Sequence, residues 1–318
     1  MNSDYIRRMP KSNILVVSVD GLRASSLGAY GNTAFATPAL DEFASESFLL
    51  DWCFAPTVEL PGVFRALWQA CHPLRPAPGG PAYATLPTLL AAQDYSTTLV
   101  TDDRGLSSSS EVTAFNELVD VSAAPHRSTD RTRAGDTMQT AMARLFAAAC
   151  DAVVSGHEFA NVADDASAQS APRLVWVHSR GMYGPWDAPL EFQRTLLDEG
   201  DPSPVESMAP PDLNIHGADD PDAVFQYSCA FAAQIMVLDD CWRVLMDAVN
   251  TIQSSERWLV VLIGTRGYPL GEHGRIGGVD ARLYGEQLHV PWMTRFPNSL
   301  GRLGRSGALT SQVDLLPT

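Results

Sequence analysis

The chain has 318 residues, 45% of them hydrophobic, with a formal net charge of −15 and a pI near 4.7. It can bury a large core, as one α/β domain or two smaller ones. Lys11 is the only lysine and no basic residues cluster, so a surface that tracks nucleic-acid phosphates is excluded.

In chain order, Met1–Ser12 holds Arg7, Arg8 and Lys11 and reads as a short extension (1–12) ahead of a domain over 13–318. The apolar run Ile14–Val19 that follows is too short for a signal peptide or a membrane span, so no membrane is expected. Asn13–Asp20 reads instead as a buried parallel strand that carries a carboxylate to the sheet edge, where open α/β sheets bind ligands. Thr37-Pro38 predicts a helix start with Thr37 as cap, and Leu60-Pro61 predicts another. Residues 96–100 and 173–178 are strand-like, 135–154 and 223–250 carry helical periodicity, and 258–263 is an apolar strand ended by Gly264. The polar stretches 155–171 and 198–222 read as loops. This alternation predicts an α/β fold of three layers, a mostly parallel central sheet with helices on both faces. Cys53, Cys71, Cys150, Cys229 and Cys241 are odd in number and sit mostly in apolar segments, which predicts reduced thiols and a cytoplasmic protein. The last residues, Gln312–Thr318, stop where a helix is expected to begin.

Several segments together resemble the sulfatases of the alkaline-phosphatase-like superfamily. They are Asn13–Arg23, Leu27–Gly31 and Thr37–Asp41; Phe54–Pro61; His178–Trp186; Gly271–Gly274; Val290-Pro291; and Asp314–Thr318. The resemblance implies the α/β fold already read from the pattern, and a smaller C-terminal subdomain that this chain is expected to lack. It also implies a divalent cation, usually calcium, held by two acids after the first strand and by an Asp with Asn or His after a late one. At those positions stand Asp20 and Gly21, then Thr265 and Arg266. Only Asp20 is of the ligand type. Arg266 would lie where the cation belongs, paired with Asp20 or turned to solvent.

By the same resemblance the nucleophile position is Glu59, two residues before Pro61, and reads as a helix-start acid. The arginine expected two residues after the proline is replaced by Val63, with Arg65 close by. Tyr183 occupies a histidine position, Gly278 a lysine position, and Asp102 and Arg104 a lysine and a histidine position. Cys71-His-Pro-Leu-Arg75 has the Cys-x-Pro-x-Arg outline but falls at the end of the helix and reads as coincidence. His178 reads as a core histidine, His273 as part of a loop turn, and Asp239-Asp240 as helix neighbours that do not share a face.

The resulting expectation is a sulfatase-like pseudoenzyme with degenerate metal and nucleophile positions and no cofactor. Arg23, Arg65, Arg266 and Arg275 would converge on a small anion, or a protein partner would dock at Arg266 or Trp186. The alternative is an active sulfuric or phosphoric ester hydrolase using Asp20, Glu59 and calcium or magnesium.

Overall fold

In a computed structural model, residues 11–75, 84–122, 133–158, 171–215, 221–252, 257–279 and 281–317 are described. The ten strands among them are β1 (Asn13–Val19), β2 (Phe48–Phe54), β3 (Ser96–Thr101), β4 (Glu117–Asp120), β5 (Arg173–Ser179), β6 (Asp212–Asn214), β7 (Trp258–Gly264), β8 (Arg275–Gly277), β9 (His289–Arg295) and β10 (Arg305–Ser311). The α-helices are α1 (Pro38–Glu46), α2 (Leu60–Gln69), α3 (Leu86–Ala91), α4 (Arg104–Ser107), α5 (Ala141–Glu158), α6 (Leu190–Arg194), α7 (Pro221–Thr251) and α8 (Gly285–Leu288).

Eight strands form one sheet in the order β10-β2-β9-β7-β1-β5-β3-β4, and β6 pairs with β8 apart from it. Among the described strands of the large sheet, β9 alone runs against its neighbours, and β6 and β8 are antiparallel to each other. The apolar runs predict the centre for a physical reason: a strand covered on both faces has no polar side to show. In β1, Leu15, Val17 and Val19 join the core under α1, α5 and α7, whereas Val16 joins the opposite core with Trp176, Phe64 and Trp68 of α2. The expected three layers are present.

Boundaries differ where a distant side chain decides them. The periodicity beginning at Gly135 predicts a helix from there, but α5 starts at Ala141, whose N–H is taken by Asp187 Oδ2 at 2.7 Å. Helix α5 also runs on to Glu158, past the predicted loop start, and the rest of that loop from 159 to 170 lies outside the described residues. In the second predicted loop, Asp212–Asn214 is a strand and α7 already begins at Pro221. Of the predicted N-terminal extension, only residues 11 and 12 are described. No described helix is long and apolar enough to cross a membrane.

Register brings the loops of the site together. Val19 of β1 lies opposite Gly264 of β7 and Ser179 of β5, and Thr101 of β3 lies opposite His178. Four consecutive parallel strands therefore end level, and the residues after them, Asp20, Thr265-Arg266, Arg180–Tyr183 and Asp102-Asp103, meet at one edge.

Candidate functional site

Asp20 is almost fully buried at that edge, and four hydrogen bonds reach its carboxylate. Arg266 Nε reaches Oδ1 at 2.8 Å and Nη2 reaches Oδ2 at 2.9 Å, a two-pronged pair. Thr265 Oγ1 adds a hydrogen bond to Oδ1 at 2.9 Å, and the Gly21 N–H another at 3.1 Å. The third prong, Nη1, donates to the Val58 carbonyl at 2.6 Å and so ties the segment ahead of α2 to the same carboxylate. Over the guanidinium lies the Tyr183 ring, 4.3 Å from its carbon. Burial alone would lower the Arg266 pKa, but the Asp20 charge and hydrogen bonds outweigh it and raise the pKa. Gln312 fixes the strand end from behind, donating to the carbonyls of Gly264 and Thr265 at 2.6 and 2.7 Å.

The residues do not fit a divalent cation. Both Asp20 oxygens already accept from a charged guanidinium, and Thr265 spends its proton on one of them. At Gly21, φ is +75° and an added Cβ would lie 2.6 Å from Met182 Cβ, so a carboxylate cannot simply be installed there. Among the described residues no group of three or more His, Cys, Asp or Glu side chains could hold a metal.

Glu59 caps α2 without a side-chain capping bond and is exposed. Val63, one turn on, is fully buried in the core beneath α2. Tyr183 donates to the Gly278 carbonyl at 3.0 Å, and burial pushes its phenol pKa upward, so it stays neutral near pH 7. Gly278 is a backbone partner here: its φ is +66°, and a Cβ would meet Arg275 Nη2 and Asp212 Oδ1 at under 2.5 Å. A lysine at that position would have to displace both.

The arginines expected to converge are each held by partners of their own. Arg23 pairs with Glu272 at 2.7 Å, Arg275 pairs with Asp212 and donates to Asn214, and Arg65 donates to Cys71 Sγ and the Arg75 carbonyl. Cys71 is thereby a buried partner of Arg65 at the C-terminal end of α2. Trp186 is 1% exposed, with its indole N–H on the Met182 carbonyl.

His178 is sealed from solvent, with Nδ1 3.2 Å from Ser18 Oγ, which also accepts from the Trp176 indole. Its Nε2 lies 3.7 Å from Asp103 Oδ2, longer than a hydrogen bond. Burial would raise the Asp103 carboxyl, but contact with His178 and the N–H groups of Leu106 and Gly105 hold it at about 2. Asp102, adjacent in sequence, is pushed by burial the other way, to about 6, against the hydrogen bond from the Arg180 N–H. Arg104 is exposed at the start of α4. His273 sits in a left-handed turn, stacked on Tyr284 with Nδ1 2.8 Å from Glu286. Asp239 and Asp240 face apart: the first accepts from the Ala39 and Leu40 N–H groups of α1, the second from Thr137. No sequence signal marks Tyr30, whose hydroxyl bridges β2 and β9 by accepting from the Trp292 N–H and facing the Leu50 and Trp292 carbonyls.

The family model for sulfatases matches residues 12–318. This chain belongs to the sulfatase family. Its fold is shared with the phosphonate monoester hydrolase of Agrobacterium radiobacter, at a TM-score of 0.74 and 17% identity over 97% of this chain and 73% of that one. A 2-O GAG sulfatase matches with a TM-score of 0.65 and 16% identity over 97% of this chain and 70% of that one. The C-terminal periplasmic domain of a phosphoethanolamine transferase from Campylobacter jejuni matches with a TM-score of 0.66 and 12% identity over 97% and 87%. These identities establish the sulfatase architecture alone. No curated protein matches the sequence.

Proposed function

We propose that this sulfatase-family chain does not carry out metal-assisted ester hydrolysis and is a binding protein on the sulfatase scaffold. The observation that carries this reading is the two-pronged Asp20–Arg266 pair, a cation of the chain itself standing against the carboxylate expected to hold a metal ion. A guanidinium has no vacant coordination position to share with a substrate oxygen and a nucleophile, which is the service a catalytic cation performs. Further support comes from the groups around the pair. Glu59 offers a carboxylate where a hydroxyl-bearing nucleophile is expected, Tyr183 is a neutral phenol with its proton committed, and His178 is sealed in the core. None of these is a proton donor poised at a leaving group.

The test is calorimetric titration with calcium and magnesium, alongside hydrolysis of 4-nitrophenyl sulfate and bis(4-nitrophenyl) phosphate with and without each metal. Neither metal should bind saturably, and turnover should match that of Asp20→Asn. Metal-dependent turnover that Asp20→Ala abolishes would overturn the reading and establish an ester hydrolase.

A further inference from the structure

Beside the Asp20 edge, a separate cavity of about 620 Å³ opens between the loop after β1, the segment after α6, the first turns of α7 and the turn before β8. Its size falls in the range of small-molecule sites, roughly 300–1,000 Å³. None of Asp20, Glu59, Tyr183, Arg266 or Gly278 lines it.

Two hydroxyls and two carboxylates among its lining residues act as hydrogen-bond acceptors. Ser228 Oγ gives its proton to the Val224 carbonyl at 2.7 Å, and Thr195 Oγ1 gives its proton to the Phe192 carbonyl at 2.8 Å, so both can only accept. Asp198 is an exposed carboxylate at the mouth. Glu272 lies deeper, and although burial would raise its pKa, Arg23 and the Leu270 N–H lower it on balance, so it is ionised. Arg23, the cationic lining residue among those described, is spread over Glu272, the Tyr268 carbonyl and Ser25 Oγ. Among the described lining residues, two carboxylates against one committed guanidinium leave the cavity negative, within a chain whose net charge is −15. The remaining wall includes Phe35, Phe225 and Phe231, with Phe225 left 38% exposed. Aromatic faces attract a desolvated cation and cover an apolar body.

We propose that this cavity binds an apolar amine, its ammonium group donating to the carboxylates and hydroxyl lone pairs while its hydrocarbon part packs on the phenylalanines. The site is independent of whether the Asp20 edge hydrolyses esters. It also reverses the expectation of an anion drawn to Arg23, because Glu272 already answers that charge.

The experiment titrates the whole chain calorimetrically with 2-phenylethylamine, phenylacetate and phenylacetamide, which share a ring and differ in charge. The amine should bind saturably and at least about tenfold more tightly than the other two, the scale of a desolvated cation–π contact plus a charged hydrogen bond. Ser228→Phe should fill the cavity and abolish binding. Asp198→Asn, at an exposed position, should weaken the amine about threefold and leave phenylacetamide unchanged. Circular dichroism and a melting curve establish that each variant is folded. Absence of saturable amine binding to the folded wild type would overturn the proposal. So would equal or tighter binding of phenylacetate, or full amine binding by folded Ser228→Phe.

Discussion

Replacing Arg266 with methionine keeps much of the side-chain volume but leaves the Asp20 carboxylate buried without a counter-charge. Arg266 and Asp20 are 8% and 1% exposed, so solvent does little to screen the loss. Two hydrogen bonds to Asp20 and one to the Val58 carbonyl disappear, together with the Tyr183 stacking; only Thr265 and the Gly21 N–H remain on the carboxylate. Removing one member of a buried ion pair costs about 3–5 kcal/mol. With an unfolding entropy that scales with chain length, this corresponds to a fall in Tm of roughly 5–8 °C. The double variant Asp20→Leu with Arg266→Met leaves no charge unpaired and should recover most of the loss, giving a coupling of at least about 2 kcal/mol. Urea unfolding of the wild type, both single variants and the double variant measures this coupling. A cost below about 1 kcal/mol for Arg266→Met, or a double variant equal to the sum of the singles, would refute the account of the site.

Gly21→Ala should cost about 2–4 kcal/mol in urea unfolding, since a side chain there meets Met182 Cβ at 2.6 Å and must adopt a left-handed φ. Asp239→Ala should cost about 1–3 kcal/mol by the same measurement, because the Ala39 and Leu40 N–H groups at the start of α1 lose their buried acceptor. The Asp102 carboxyl is raised to about 6, whereas an unfolded aspartate titrates near 4. The stability it contributes is therefore full below about pH 4 and lost as pH rises through about 6. Asp102→Asn should flatten that fall and, with partial solvent contact discounted, raise stability at pH 7 by about 1 kcal/mol; an unchanged pH profile would count against it. Asp103 acts in the opposite sense, with its contribution present above about pH 4 and lost as pH falls through about 2, so Asp103→Asn should destabilise at pH 7 and not at pH 2.

The strands that end level at the site were legible because two-sided burial writes continuous apolar runs into β1, β5 and β7. Strand β9, His-Val-Pro-Trp-Met-Thr-Arg, carries no such mark, and its proline argues against a strand inside a sheet. Pro291 is tolerated because the β7–β9 pairing ends at Ile263 and Trp292, one residue short of it, while on the β2 side Tyr30 serves the Trp292 N–H. Such a repair is made by a residue more than 250 positions away and leaves no local signal. The same holds for the site. Position identified Asp20 and Arg266, but which of the two orientations the arginine adopts depends on the β1–β7 register and on the Val58 carbonyl. The contacts of the other arginines left no mark in the sequence because Glu272, Asp212 and the Arg75 carbonyl reach them only through tertiary packing.

A cation that is part of the polypeptide cannot be removed by a chelator, diluted away or exchanged for another ion, so the Asp20 charge is answered without drawing on ions from solution. The same attachment makes the arrangement hard to convert one substitution at a time. Losing Arg266 first strands the Asp20 charge, and adding a side chain at Gly21 first collides with Met182. Either single change toward a metal site would therefore give a less stable chain, and only a concerted change at both positions would avoid that cost.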